Sequence, residues 1–124
     1  MGRLLLVGLG GFFGTLLRYW LSGVIARRYG ETFPLGTLTV NAIGCFLAGF
    51  IFYFLYERFL TDPISRSVVF IGLLGGFTTF SSYGLQTFTL LRDGEFFLAL
   101  LNIGVSNILG LTLIWFGYSL AKII

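Results

Sequence analysis

The sequence has 124 residues, of which 56% are hydrophobic and only 10% are charged, and its mean hydropathy is +0.95. Soluble domains contain about a quarter charged residues, so this composition excludes an ordinary soluble domain and predicts an all-α membrane protein whose solvent is the bilayer. Eight Lys and Arg residues against five Asp and Glu give a net charge of +3, but the only basic cluster is Arg27 with Arg28, which does not indicate nucleic-acid binding.

Four apolar stretches are long enough to cross a bilayer, which takes about 20 residues. They cover residues 3–26, 35–56, 65–91 and 96–120, and we number them spans one to four. The connections between them are short, so residues 1–124 are expected to form one compact subunit in which neighbouring spans run antiparallel. The five carboxylates all fall in the connections, at Glu31, Glu57, Asp62, Asp93 and Glu95.

Span one contains the only charge predicted at membrane depth. Its stretch "GLGGFFGTLLRY" places Gly10 and Gly14 four residues apart, a spacing that lets helix backbones approach closely. Arg18 follows about two-thirds of the way along the span. A membrane-embedded arginine usually faces the bundle interior, a water-filled vestibule or the interface. The sequence leaves open a structural or vestibule role and, as the alternative, a side chain that extends towards the helix end.

Span two contains a carboxamide, Asn41, within "TLTVNAIGC". A side-chain amide in hydrocarbon is costly unless it finds hydrogen-bond partners. Two roles fit this residue, an interhelical hydrogen bond that holds the bundle together or a donor that lines a pore. Asn107 in span four places a second carboxamide at membrane depth.

Span three contains the most unusual segment, "GLLGGFTTFSSYG", at residues 72–84. Gly75 and Gly76 have poor helix propensity, and the Thr and Ser hydroxyls that follow are able to bond backbone carbonyls freed by a break. The segment therefore predicts that span three is interrupted near mid-membrane, where free carbonyls would suit a cation. Phe80 and Tyr83 share the next helix face, and their electropositive ring edges suit an anion. A glycine-kinked helix with core aromatics is the alternative.

The charge distribution bears on orientation in the membrane. One end of the bundle carries four basic residues and the other carries three, namely Arg3, Arg58, Arg66 and Lys122 against Arg27, Arg28 and Arg92. The positive-inside rule orients a membrane protein by such a difference, and four against three barely decides. We therefore expect insertion in both orientations, with two oppositely oriented copies meeting around a two-fold axis as an antiparallel, dual-topology dimer.

The motifs resemble those of the fluoride channel family, Fluc, also called CrcB. "GGFFGTLLRY" is similar to the family's first-span signature, "GTLTVNAIG" to its second-span pattern G-T-x-x-V-N-x-x-G, and "GLLGGFTTFSS" to its G-x-x-G-G-x-T-T-F-S motif. The resemblance covers the whole chain. It implies a multi-pass protein of a prokaryotic cell membrane that lets cytoplasmic fluoride leave passively and so protects against its toxicity.

The resemblance also implies partners and sites. Family members are antiparallel homodimers, and some are pairs of different subunits. A structural sodium ion that is not transported lies at the dimer centre, bound by backbone carbonyls that correspond here to Gly75 and Thr78. The fluoride pathway would contain Asn41, Phe80, Tyr83, Ser81 and Thr79, to which we add Asn107, and Arg18 would lie near a vestibule.

Two positions depart from the family pattern. Tyr83 stands where a second pore phenylalanine is usual, and Gln86 stands where a glutamate is usual. Tyrosine keeps the aromatic ring and adds a hydroxyl donor, whereas glutamine removes a negative charge.

Three other classes of function are less well supported by the sequence. A small dual-topology multidrug exporter coupled to protons needs a membrane-embedded carboxylate, and none is predicted in a span. The second alternative is a helper subunit of a membrane complex that has no transport activity of its own. An enzyme is not expected, because the chain has no histidine and no evident nucleophile–base pair.

Overall fold

The computed structural model describes residues 1–124, and all of its regular structure is helical. Four helical segments are long and apolar enough to cross a membrane, namely Gly2–Tyr29, Leu35–Arg58, Pro63–Arg92 and Phe96–Ile123. These segments are spans one to four. The prediction of an all-α protein with four transmembrane helices is confirmed.

The span ends follow from local residues. Span one ends at Gly30, whose φ of 81° lies in the left-handed region that favours glycine. Span three begins after Asp62, whose carboxylate accepts hydrogen bonds from the Ser65 hydroxyl at 2.6 Å and from the Ser65 backbone N–H at 3.2 Å. These bonds lower the pKa of the Asp62 carboxyl, the hydroxyl bond having the larger effect. Pro63 stands at the first helical position, where its missing N–H costs nothing.

Two stretches of π-helix were not predicted from the sequence. Span two changes from α-helix at Leu35–Phe52 to π-helix at Tyr53–Arg58, and span three is π-helical at Val68–Leu74. The prediction that no span contains a carboxylate is therefore wrong, because Glu57 lies in the last turn of span two. Its exposed carboxylate accepts hydrogen bonds from the Tyr118 hydroxyl at 2.9 and 3.0 Å, which satisfy the charge at this helix end.

Glycines bring the spans into close contact in two pairs. A methyl group added at Gly14 of span one would overlap the carbonyl oxygen of Leu73 in span three, and one at Gly76 would lie 2.6 Å from the Gly11 carbonyl oxygen. Spans two and four approach in the same way, since a methyl group at Gly49 would overlap the backbone of Ile114. Small residues at these positions permit backbone contact that larger residues would prevent.

Span three is broken where the sequence predicted. Helix ends at Phe77, resumes at Phe80 and is interrupted by extended backbone at Thr78 (φ −86°, ψ 159°) and Thr79 (φ −150°, ψ 115°). The break divides the span into a first half, residues 63–77, and a second half, Phe80–Arg92. The first half packs on span one, and the second half packs chiefly on span four.

Candidate ion pathway at the break of span three

Asn41 of span two forms a reciprocal hydrogen-bonded pair with the broken backbone. The Thr79 N–H donates to Asn41 Oδ1 at 2.8 Å, and Asn41 Nδ2 donates to the Thr79 carbonyl oxygen at 3.0 Å. The Asn41 side chain thus forms the interhelical bond that was one of its two predicted roles. A carboxamide carries two N–H donors, so one of them remains available to a ligand.

Hydroxyl groups satisfy the two helix ends at the break. The backbone N–H and the hydroxyl of Thr78 both donate to the Leu74 carbonyl oxygen at 2.9 Å, which completes the first half of the span. The Thr79 hydroxyl oxygen accepts from the Ser82 N–H at 3.1 Å and so caps the second half. Broken membrane helices are tolerated when side chains satisfy the freed backbone groups in this way.

Two backbone carbonyls lose their helical donors at the break. In a continuous α-helix the Thr79 N–H would bond the Gly75 carbonyl, and the Ser82 N–H would bond the Thr78 carbonyl. Here the first donates to Asn41 Oδ1 and the second to Thr79 Oγ1. Gly75 and Thr78, the residues for which the resemblance implied a cation, are therefore two of the residues at the break whose carbonyls do not receive the usual α-helical N–H.

A cavity of about 370 Å³ lies beside the break, between spans two, three and four. Its polar lining residues are all uncharged, namely Asn41, Thr78, Thr79, Tyr83, Ser106 and Asn107. The other lining residues are glycine, alanine, cysteine, aliphatic side chains and the rings of Phe70 and Phe80. The cavity therefore offers hydrogen-bond donors and ring edges without a charged side chain.

Two aromatic rings and a carboxamide form one wall of this cavity. The ring centroids of Phe80 and Tyr83 are 5.5 Å apart, with an angle of 43° between the ring planes. Asn107 Nδ2 donates to the Tyr83 hydroxyl oxygen at 3.3 Å and to the Ile103 carbonyl oxygen at 2.8 Å. Because the Tyr83 hydroxyl accepts from Asn107, its own proton is free to donate, a donor that phenylalanine would not provide.

Ser81, which the resemblance assigned to the pathway, and Arg18, which it placed near a vestibule, both lie outside the cavity. Ser81 is exposed, and its hydroxyl oxygen is 3.3 Å from that of Thr79. Arg18 is half-buried in span one and lines neither this cavity nor the second one described below.

A second cavity of about 630 Å³ opens beside the connection between spans one and two. Arg27 rather than Arg18 is the arginine that lines it, and Gln86 of span three also contributes to its wall. The side-chain oxygen of Gln86 is buried and has no hydrogen-bond partner.

Sequence reasoning missed the apolar end of the first cavity, where Ala48, Phe70 and Ile114 lie. A helical signal for two of them was present. Ala48 follows Asn41 by seven residues, and Ile114 follows Asn107 by seven, so each lies two turns further along the face of its polar partner. Phe70 has no such signal, because π-helix separates it from the break.

Comparison with known protein families shows to which family the chain belongs. The sequence profile of the family described as "CrcB-like protein, Camphor Resistance (CrcB)" matches residues 5–118. The chain belongs to the CrcB family. The resemblance inferred from the three motifs is thereby confirmed, and it extends over nearly the whole chain.

Several relatives in this family are similar over almost their full length. A "Fluoride-specific ion channel FluC" of Aquifex aeolicus is 42% identical over 122 residues, 98% of each chain. A protein of the same name from Opitutus terrae is 46% identical over 120 residues, which cover 95% of this chain and 91% of that protein. Another from Geotalea daltonii is 41% identical over 124 residues, the whole of both chains. All three are named as ion channels rather than enzymes. Together with the four spans, they show a multi-pass membrane protein of bacterial type.

Proposed function

We propose that the chain is the subunit of a passive, fluoride-selective channel through which fluoride leaves the cytoplasm. The observation that carries this proposal is the uncharged cavity beside the break, which combines carboxamide and hydroxyl donors with two aromatic rings. The names of the relatives support the same function.

Fluoride is small and strongly hydrated, so a selective pathway must replace its water with several close donors. Asn41 offers its second N–H, and Tyr83 offers its hydroxyl proton. The edges of the Phe80 and Tyr83 rings carry partial positive charge and add weaker contacts. Because no fixed cation lines the cavity, an anion bound by these groups is held weakly enough to leave.

Fluoride export needs no energy source beyond the membrane potential. Hydrogen fluoride is a weak acid that crosses membranes in its neutral form and ionises in a near-neutral cytoplasm, where fluoride is trapped. A negative interior drives an anion outward through any passive path. A neutral cavity without a carboxylate suits such a path, since small proton-coupled exporters need a membrane-embedded carboxylate to exchange protons.

The working unit we propose is an antiparallel dimer of two copies. Phe80 is 82% exposed in one chain and Ile71 is 68% exposed, although both lie within span three. Gly75 is exposed on the same span. A second copy in the opposite orientation would cover this surface, and the near balance of basic residues between the two ends permits both orientations.

A sodium ion suits the centre of this dimer. The Gly75 and Thr78 carbonyls lack their helical donors, and two copies would supply four such oxygens, the ligand type that hard cations prefer. The chain has no cluster of acidic, Cys or His side chains that would bind a metal instead. The ion would stabilise the assembly and take no part in transport.

The sodium proposal predicts a specific dependence on the cation present. Replacing sodium with N-methyl-D-glucamine, which is too large for the site, should lower fluoride flux about tenfold, because an ion that binds only the assembled state stabilises it. Size-exclusion chromatography with light scattering should show fewer two-copy particles in the same buffer. Equal flux and equal mass in both cations would contradict the proposal.

The functional proposal is tested with purified protein in liposomes. Fluoride efflux, followed with a fluoride electrode, should begin when valinomycin sets a potassium-driven voltage with equal pH on both sides. A proton-coupled exporter would need a pH gradient, and a helper subunit would give no flux. Either of these results would contradict a passive channel.

A further inference from the structure

A cation lies one aromatic ring beyond the apolar end of the neutral cavity. The Arg66 guanidinium is 4.2 Å from the centroid of the Tyr56 ring, within the range of a cation–π contact. The Tyr56 ring is 5.7 Å from the ring of Phe70, which lines the cavity. Side-chain contacts from Arg66 through Tyr56 to Phe70 therefore connect the cavity with the end of the bundle near the connection between spans two and three.

The surrounding helices place aromatic rings at the same level. Phe52 follows the cavity residue Ala48 by four residues, and Tyr118 follows the cavity residue Ile114 by four, so both extend faces that line the cavity. The Phe52 ring is 6.4 Å from Phe70 and 6.3 Å from Tyr118. Phe52, Tyr56, Phe70 and Tyr118 form an aromatic layer at the outer, apolar end of the cavity, where Phe70 is the one member that lines it. Arg66 contacts this layer through Tyr56.

Arg66 forms no ion pair with a carboxylate. The only ion pair in the chain joins Arg92 and Asp93. Glu57 is adjacent to Tyr56 in the sequence, yet its carboxylate is hydrogen-bonded to the Tyr118 hydroxyl instead. Arg66 Nε is buried without a hydrogen-bond partner. A guanidinium held by an aromatic face keeps its full charge, which a salt bridge would largely cancel.

We propose that Arg66 recruits small inorganic anions to the outer end of the neutral cavity. This inference rests on the proposed channel function and adds the residue that supplies long-range attraction. The cavity donors act only at contact distance, whereas an unpaired charge beside low-dielectric walls raises the local anion concentration and the entry rate. Because the charge lies outside the cavity, it attracts the ion without trapping it among the donors.

The role of the Arg66 charge is tested by comparing its removal with the removal of another arginine charge at the same end of the bundle. R66Q removes the charge, and R58Q removes one from the same end of the bundle, where Arg58 is exposed and its guanidinium is 5.8 Å from the Phe59 ring. Both variants alter net charge and the orientation bias equally. At subsaturating fluoride and about 0.01 M ionic strength, R66Q should slow efflux about tenfold and R58Q less than about twofold.

The salt dependence and a charge-conserving variant complete the test. At about 1 M potassium gluconate the difference between R66Q and the unsubstituted protein should shrink below about twofold, because the charge is then screened within about 3 Å. R66K keeps the charge and should retain at least about half of the unsubstituted rate at low ionic strength. R66K also tests the proposal if R66Q fails to fold.

Three outcomes would overturn the inference. They are equal slowing by R66Q and R58Q, an R66Q deficit that does not change with salt, and an R66K rate as low as that of R66Q. None of them would affect the channel function itself, which depends on flux through the unsubstituted protein.

Discussion

Replacing Asn41 with leucine is expected to lower fluoride efflux about 100-fold. The substitution removes the donor that faces the cavity and leaves the Thr79 N–H and carbonyl at the break without their partner. An unsatisfied buried polar group costs about 1–3 kcal/mol, and each 1.4 kcal/mol corresponds to a tenfold change. The measurement is the initial rate of voltage-driven efflux from liposomes that contain equal amounts of protein.

Asn41→Asp keeps only one half of the reciprocal pair with Thr79. The carboxylate keeps the oxygen that accepts from the Thr79 N–H, but it has no N–H donor and adds a negative charge to a cavity that is otherwise uncharged. Since the carboxylate also loses the donation to the Thr79 carbonyl oxygen, we expect this variant to conduct no better than Asn41→Leu. Efflux near the unsubstituted rate from Asn41→Leu would remove Asn41 from the pathway.

Replacing Phe80 with isoleucine is expected to lower efflux about tenfold with little effect on the stability of the subunit. The Phe80 ring lines the cavity and is 82% exposed in one chain, so few contacts within the subunit depend on it. The variant loses the ring edge and its contact with Tyr83. Interactions of an aromatic ring are worth about 0.5–1.5 kcal/mol, which corresponds to a change of up to about tenfold in the efflux rate.

A second phenylalanine on the same helix provides the control for Phe80→Ile. Phe88 is 58% exposed, belongs to the same half of span three and lines neither cavity. Phe88→Ile makes the same substitution at a residue outside both cavities, and we expect its efflux to be unchanged. Equal effects of the two substitutions would show that Phe80 acts on membrane packing rather than on the ion.

The parts of the fold that depend on local chemistry were predictable from the sequence. Long apolar stretches predicted the four spans, and Gly75, Gly76 and the hydroxyls after them predicted the break. The seven-residue spacing of Asn41 and Ala48 also places both on one helix face, although the sequence analysis did not assign Ala48 to the site. These features depend on backbone propensity, hydrogen-bonding capacity and helical period, all of which a single sequence contains.

The features that depend on contact between spans were not predictable. The sequence left two roles open for Asn41, and only the position of Thr79 shows that one face of the carboxamide bonds the break while a donor remains free. The π-helix at Tyr53–Arg58 includes Glu57 within span two, and Tyr56 of the same segment lies beside Arg66. Such pairings are properties of tertiary packing, which overrides local propensity.

The central claim is that the neutral cavity at the break passes fluoride and rejects chloride. It is tested most directly with one liposome preparation loaded with equal concentrations of both anions and monitored by two ion-selective electrodes under a valinomycin-set voltage. The account predicts rapid fluoride efflux, with chloride release no faster than from liposomes without protein. Equal efflux of the two anions, or no protein-dependent efflux of either, would contradict it.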